Sequence, residues 1–445
     1  MQLSTEGVLA LAPDDASAKA ARGLVLPAKW PLLGANEAAA WGECQGSGSK
    51  PYQTQVDLGG PAFRCSCPSR KFPCKHGLAL LLLRAQDASR FTATEPPAWV
   101  AEWLASRGEK AQKKEERQQD KAATAAPADP QAAARREDQR WQRITAAGQE
   151  LQRWLADQLA AGLGALNDER LRGWQTMAAR MVDAQAPGLG LGVREAAAGV
   201  RDGADWPERT LQRFGLLQLL CEALQRRETL PEPVQADLRS ALGWPQDKAE
   251  VLAQGEAVAD RWTVLGMVMA EREDKLSERR VWLHGQQSGR RAWLLDHAFG
   301  GRGFEQAWLG GCSVQATLRF FPGASRLRAL SAEAPTAAAA PVWPQVTLAD
   351  EWRRIAQRIS ACPWVGLQPL VLPGAVLLRQ GEQWLAVADG RALPLQLGAA
   401  DAWLLLAASG GRPLQLMGEW DGHLLAPLTA WTEGAAAPCW QRGAT

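Results

Sequence analysis

Large apolar side chains recur at three- and four-residue spacing through Trp141, Ile144, Leu151, Trp154, Leu155 and Leu159, which places them on one stripe of a helix. Similar stripes run through residues 171–181 and 211–224, and Pro231 and Pro245 punctuate later turns. Residues 138–258 therefore read as a helical bundle. From about residue 259 the period changes. The runs 264–269, 280–284, 292–295 and 314–321 read as strands separated by Gly-containing turns. An Ala/Pro-rich stretch at 335–344 reads as a linker, followed by a helix over 348–360 and strands at 371–379 and 383–387. Residues 259–445 are expected to form a β-rich α+β region.

Residues 1–105 carry a different pattern. A short helix with an acidic or Ser cap is expected over 14–22. Tyr52, Thr54, Val56 and Leu58 alternate onto one face, as in a half-buried strand. Gly59, Gly60 and Pro61 turn the chain, residues 63–67 return as the partner strand, and 77–84 read as a buried helix. Residues 106–137 are rich in Lys, Arg, Glu and Gln and then in Ala and Pro, with almost no large apolar side chain. Such a stretch buries too little surface to offset its ordering entropy, so a linker is expected. Gly188, Gly190 and Gly192 resemble a dinucleotide loop superficially, but they follow a helix and lack the final glycine at the required offset. They read as a helix–helix loop. The fold class expected is α+β and multidomain: a small ββα zinc-finger module, a helical bundle and a mixed α/β C-terminal region.

Composition narrows the function classes. The formal charge of the 445 residues is +2, so no global field draws the protein onto nucleic acid or anionic lipid. Apolar runs such as 78–83 are far short of the ~20 residues a membrane helix needs. With no signal-peptide pattern in residues 1–10, a cytoplasmic location is expected. The 21 Trp stand against one Tyr and follow no fixed period, which points to core packing rather than a stacking platform.

Three of the eight cysteines fall within ten residues. Cys65-Ser66-Cys67, six residues, then Cys74-Lys75-His76 form the pattern Cys-x-Cys-x6-Cys-x-His. Residues two apart on an extended chain point to the same side, so Cys65 and Cys67 can offer both sulfurs to one ion. Pro68 and Pro73 shape a loop that brings Cys74 and His76 back opposite them, with His76 at the start of the following helix. Three thiolates and an imidazole make a closed, structural tetrahedral zinc set with no position left for water. Cys44, beyond a strand and a turn, is a weaker competitor.

The residues around this pattern carry a resemblance. Cys44-Gln-Gly-Ser-Gly, Pro51-Tyr52, Asp57-Leu58, Cys65-Ser-Cys-Pro-Ser and Phe72-Pro-Cys-Lys-His-Gly77 are similar to the bacterial SWIM zinc finger family over roughly residues 28–105. The resemblance implies Zn²⁺ as cofactor, a ββα zinc fold, and a role in DNA binding or protein–protein contact. It also implies association with MoxR-type AAA ATPases and von Willebrand A-like proteins, beside which an adaptor role is expected.

Arg64, Arg70, Lys71 and Lys75 surround the cluster, with no acid between Arg64 and His76. Zinc with three thiolates is net negative, so these bases serve either to hold the thiolates deprotonated or to contact a phosphate or a protein partner. A non-enzymatic binding protein is expected. The chain has no Walker loop, no Gly-x-Ser-x-Gly elbow and no His-Glu-x-x-His helix. The alternative is an enzyme whose site lies in the C-terminal region without a visible motif. There His284, His297 and Asp296 are the tempting groups, and a His in a Trp- and Leu-rich strand reads as a satisfied core residue. Residues 300–303 read as a turn.

Overall fold

A computed structural model describes residues 5–443 apart from 10, 13–14, 47–49, 59–61, 70, 94, 108–129, 273–275, 300–303, 305, 307 and 339. The expected turns at 59–61 and 300–303, the capping Asp14 and most of the expected linker lie outside the described residues.

Two short helices, α1 (Thr5–Leu9) and α2 (Asp15–Arg22), precede a five-stranded sheet. Its strands are β1 (Leu32–Ala35), β2 (Ala39–Cys44), β3 (Tyr52–Asp57), β4 (Ala62–Cys65) and β5 (Thr92–Ala93), in the order β4-β3-β2-β1-β5. Helix α3 (Lys75–Gln86) covers one face, burying Leu78, Leu80, Leu81 and Leu82 almost completely. Each such burial stabilises by about 1.5–3 kcal/mol. Residues 98–107 form α4, which covers part of the other face. Gln55 is buried beneath it and donates to the Trp99 carbonyl, 3.4 Å. The strand expected to be half-buried is therefore covered on both sides at its centre.

The bundle consists of α5 (Pro130–Ala161), α6 (Asp168–Asp183), α7 (Pro187–Ala198) and α8 (Trp206–Gln225), followed by α9 (Glu232–Ala241) and α10 (Lys248–Gln254). Helix α5 begins at Pro130, so the tail of the expected linker is helical. Asn167 caps α6 by accepting from the Arg170 amide at 2.9 Å. Trp154, Trp174 and Phe214 meet in the core, with ring centroids 5.0–5.9 Å apart.

Gly188, Gly190 and Gly192 do not form a loop. They lie inside α7, and their missing side chains let helices touch. A Cβ on Gly188 would stand 1.8 Å from the Ala241 carbonyl oxygen, and one on Gly190 would stand 2.6 Å from that of Ala178. Backbone closeness, invisible to a period count, places glycine here.

The C-terminal region contains two six-stranded sheets. The first holds β6 (Glu256–Arg272), β7 (Leu276–Gly285), β8 (Arg291–Phe299), β9 (Ser313–Phe320), β10 (Arg328–Ser331) and β11 (Thr336–Ala337). The second holds β12 (Gln368–Gln380), β13 (Gln383–Ala388), β14 (Arg391–Pro394), β15 (Leu414–Trp420), β16 (Leu425–Trp431) and β17 (Trp440–Gln441). Strand β6 starts at Glu256, slightly ahead of the expected change of period. Helices α11 (Leu348–Ala361) and α12 (Ala399–Ser409) pack on the second sheet. Leu265 and Trp282 share a core with Val371, Met417 and Trp431, so the two sheets pack together.

The Ala/Pro stretch at 335–344 is not a free linker. It includes β11, and the Ala338 amide donates to the Ser313 carbonyl at 3.0 Å. Trp343 then stacks on Trp431 with centroids 4.4 Å apart. No helix among the described residues is long and apolar enough to cross a membrane.

Candidate metal centre

Register builds the centre. Strands β3 and β4 pair antiparallel with Thr54 opposite Cys65, so the returning strand ends with Cys65 at the open corner of the sheet. Cys67 follows two residues later, beyond the strand. After the loop, Cys74 occupies the N-cap position of α3 and His76 lies in its first turn. Helix α3 can approach this corner because residue 77 is glycine. A Cβ there would stand 2.8 Å from Cδ1 of Phe63.

The ligand atoms of Cys65, Cys67, Cys74 and His76 all lie within 4.8 Å of one another. The Cys65 sulfur is 3.8 Å from Nδ1 of His76. Cys74 and His76 are buried, and Cys65 and Cys67 are half-buried. Among the described residues this is the group of Cys, His and acidic side chains placed to hold a metal.

The chemistry of the donor set tests the fit. The Cys65 thiol donates to Cys74 and holds the Cys74 thiolate down to about 4, with further help from His76 and the Gly77 amide. The same hydrogen bond, joined by burial, pushes the Cys65 thiol up. Burial pushes Cys67 up as well. Negative charges on sulfurs this close repel one another, and a divalent ion is what lets all three ionise together. Cys65, Cys67, Cys74 and His76 thus suit zinc, which would lock the β4 end to the start of α3 and supply no open position for chemistry.

Two groups read in the sequence only as strand positions support the centre. The Thr54 hydroxyl lies 3.2 Å from the Cys65 sulfur. The Tyr52 ring packs on His76 with centroids 4.9 Å apart. Both belong to the alternating face of β3, so the signal was present as a strand pattern but not as chemistry. Cys44 is a different case. It is fully buried in β2 opposite Tyr52, outside the four-ligand group, and burial pushes its thiol up. It is a core residue of the sheet.

Of the four basic residues, Arg64, Lys71 and Lys75 are exposed and Arg70 lies outside the described residues. Arg64 pairs opposite Gln55 and so faces the α4 side of the sheet, whereas Lys71 and Lys75 belong to the metal loop and the start of α3. Phe72, next to Lys71 in the chain, is 40% exposed, with its ring edge-on to Phe63 at 6.0 Å.

The C-terminal candidates are engaged in structural contacts. His284 is buried and accepts from Arg291. Burial and then the Arg291 charge lower its pKa to about 3, which keeps it neutral. Arg291 and Arg354 both reach Glu351, which also accepts from the Val371 amide. Asp296 accepts from the buried Arg279 at 2.6 Å. His297 differs from the expected core residue: it is exposed, 3.7 Å from Glu278.

Compared with known families, residues 52–85 match the SWIM zinc finger and residues 139–242 match the SWIM-associated four-helix bundle domain. No curated protein and no solved structure matches the chain. The chain carries a SWIM zinc finger with a Cys₃His cluster placed to bind zinc, and a SWIM-associated helical bundle.

Proposed function

We propose that this is a zinc-stabilised, non-enzymatic binding protein whose finger docks a macromolecular partner through the metal loop and helix start that carry Lys71, Phe72 and Lys75. The observation that carries the reading is a Cys₃His set whose connecting loop and helix start leave Lys71, Phe72 and Lys75 exposed. A closed set positions chain segments and leaves no metal position for substrate. Exposed cations suit the phosphates of nucleic acid or an acidic protein face, and the exposed Phe72 beside Lys71 offers an apolar anchor. The pairing of His284 and Asp296 with arginines supports a structural role for the C-terminal polar groups. A partnership with a MoxR-type AAA ATPase or a von Willebrand A-like protein, as an adaptor, rests on the family resemblance.

Binding of the full chain to duplex DNA and to an acidic peptide, followed by fluorescence anisotropy at rising salt, tests the reading. Lys71→Glu with Lys75→Glu should abolish the salt-sensitive binding while zinc content stays unchanged. Binding that survives the double substitution would place the contact elsewhere.

A further inference from the structure

The finger's core does not end at its own sheet. Helix α1 lies against both α3 and β17. Val8 and Leu9 of α1 share one buried core with the α3 leucines and with Leu309 and Cys312, which lead into β9, and Met267 of β6 packs against it. A continuous apolar path therefore runs from the helix that bears His76, through α1, to the first C-terminal sheet. Behind this seam lies a cleft of about 480 Å³, bordered by Ala12, Met267, Gly310, Glu419 and Gln441.

The bundle is attached by other means. Asp237 of α9 accepts from the Ala324 and Ser325 amides at 2.7 and 3.3 Å, and Trp364 packs on the bundle core. Neither contact passes through the seam.

We infer that zinc loading of the finger sets the packing of the C-terminal sheets along this seam: losing the metal loosens α1, the Leu309–Cys312 turn and the cleft behind it, while the bundle stays closed. The metal fixes where α3 starts relative to β4. A close-packed core does not keep one wall when the opposite wall shifts, so the loss reaches Leu309 and Cys312 through Val8 and Leu9.

Two buried cysteines report on the two bodies independently. Cys312 sits in the seam and Cys221 in the bundle core, and burial pushes their thiols up to about 11 and about 12. The full zinc-loaded chain is exposed to an alkylating reagent with and without a strong chelator, and each cysteine is read by mass spectrometry. Chelation should speed Cys312 labelling by about tenfold or more, together with Cys65, Cys67 and Cys74, and leave Cys221 unchanged. Protection of Cys312 while the three finger thiols react would overturn the inference. So would Cys221 rising in step with Cys312, which signals global unfolding.

Linkage is reciprocal, so the seam must also act on the metal. Leu309→Ala, which changes no ligand, should weaken zinc affinity several-fold. Unchanged affinity in the folded variant would sink the coupling.

Discussion

Thr54 stands opposite Cys65 across the β3–β4 pair, and its hydroxyl lies 3.2 Å from the Cys65 sulfur. Donation from that hydroxyl favours the ionised sulfur, against the burial and the Cys74 contact that disfavour it. Thr54→Val keeps the shape and removes the donor. Zinc affinity should fall by about tenfold, the lower end for an outer-shell partner, with the fold intact by circular dichroism. An unchanged competition titration against a chelating dye would show that the hydroxyl plays no part.

Zinc content should be one per chain, held by Cys65, Cys67, Cys74 and His76. Elemental analysis of the purified protein tests this, and Cys67→Ser with His76→Ala should empty it. Cys65 and Cys67 are pushed up and must lose protons to bind, so affinity should rise with pH and binding should release protons. Calorimetry in buffers of different ionisation enthalpy measures that release.

Gly77→Ala forces a methyl to within 2.8 Å of the Phe63 ring. The helix gains up to about 1 kcal/mol in propensity from losing a glycine. Overpacking a closed core costs about 1–3 kcal/mol, and the shift would also move His76. Net destabilisation and weaker zinc binding are expected together, from chemical denaturation and metal titration. A more stable, zinc-replete variant would show that Phe63 yields freely.

Gly188→Ala separates the bundle from the finger. Its Cβ would meet the Ala241 backbone oxygen at 1.8 Å, where no side chain can swing aside. The bundle should lose roughly 3 kcal/mol or more while zinc content stays at one per chain. Thermal melts paired with metal analysis separate the two effects.

Acid should weaken the C-terminal sheets partly through His284. Its pKa is lowered from 6.5 to about 3 in the folded chain, so between those values the unfolded chain binds the extra proton. The stability this neutral imidazole confers is full above pH 6.5 and is lost as pH falls toward 3. His284→Gln preserves an acceptor for Arg291 and should flatten the acid limb of the stability profile. Denaturation midpoints at about pH 7 and about pH 5 measure the slope. An identical slope would show that the buried imidazole does not set the acid response.

The ligand set and most elements were legible in the sequence because their signals are local. Two sulfurs two residues apart where a strand runs out at Cys65, short of the expected 67, and a cysteine and histidine two apart at a helix start, need only local chain geometry to meet one ion. Periods of two and 3.6 likewise mark β3, α5, α6 and α8 from each element's own apolar face. Relations between distant segments have no such local signature. The second cover on Gln55 comes from α4, the seat for Trp343 from Trp431, and the reason for glycine at 188 and 190 from Ala241 and Ala178. The core shared by Leu9 and Leu309 joins residues some 300 positions apart. Tertiary structure alone decides such contacts, because close packing responds to what lies across a gap in space and the chain's local pattern records only which side faces inward.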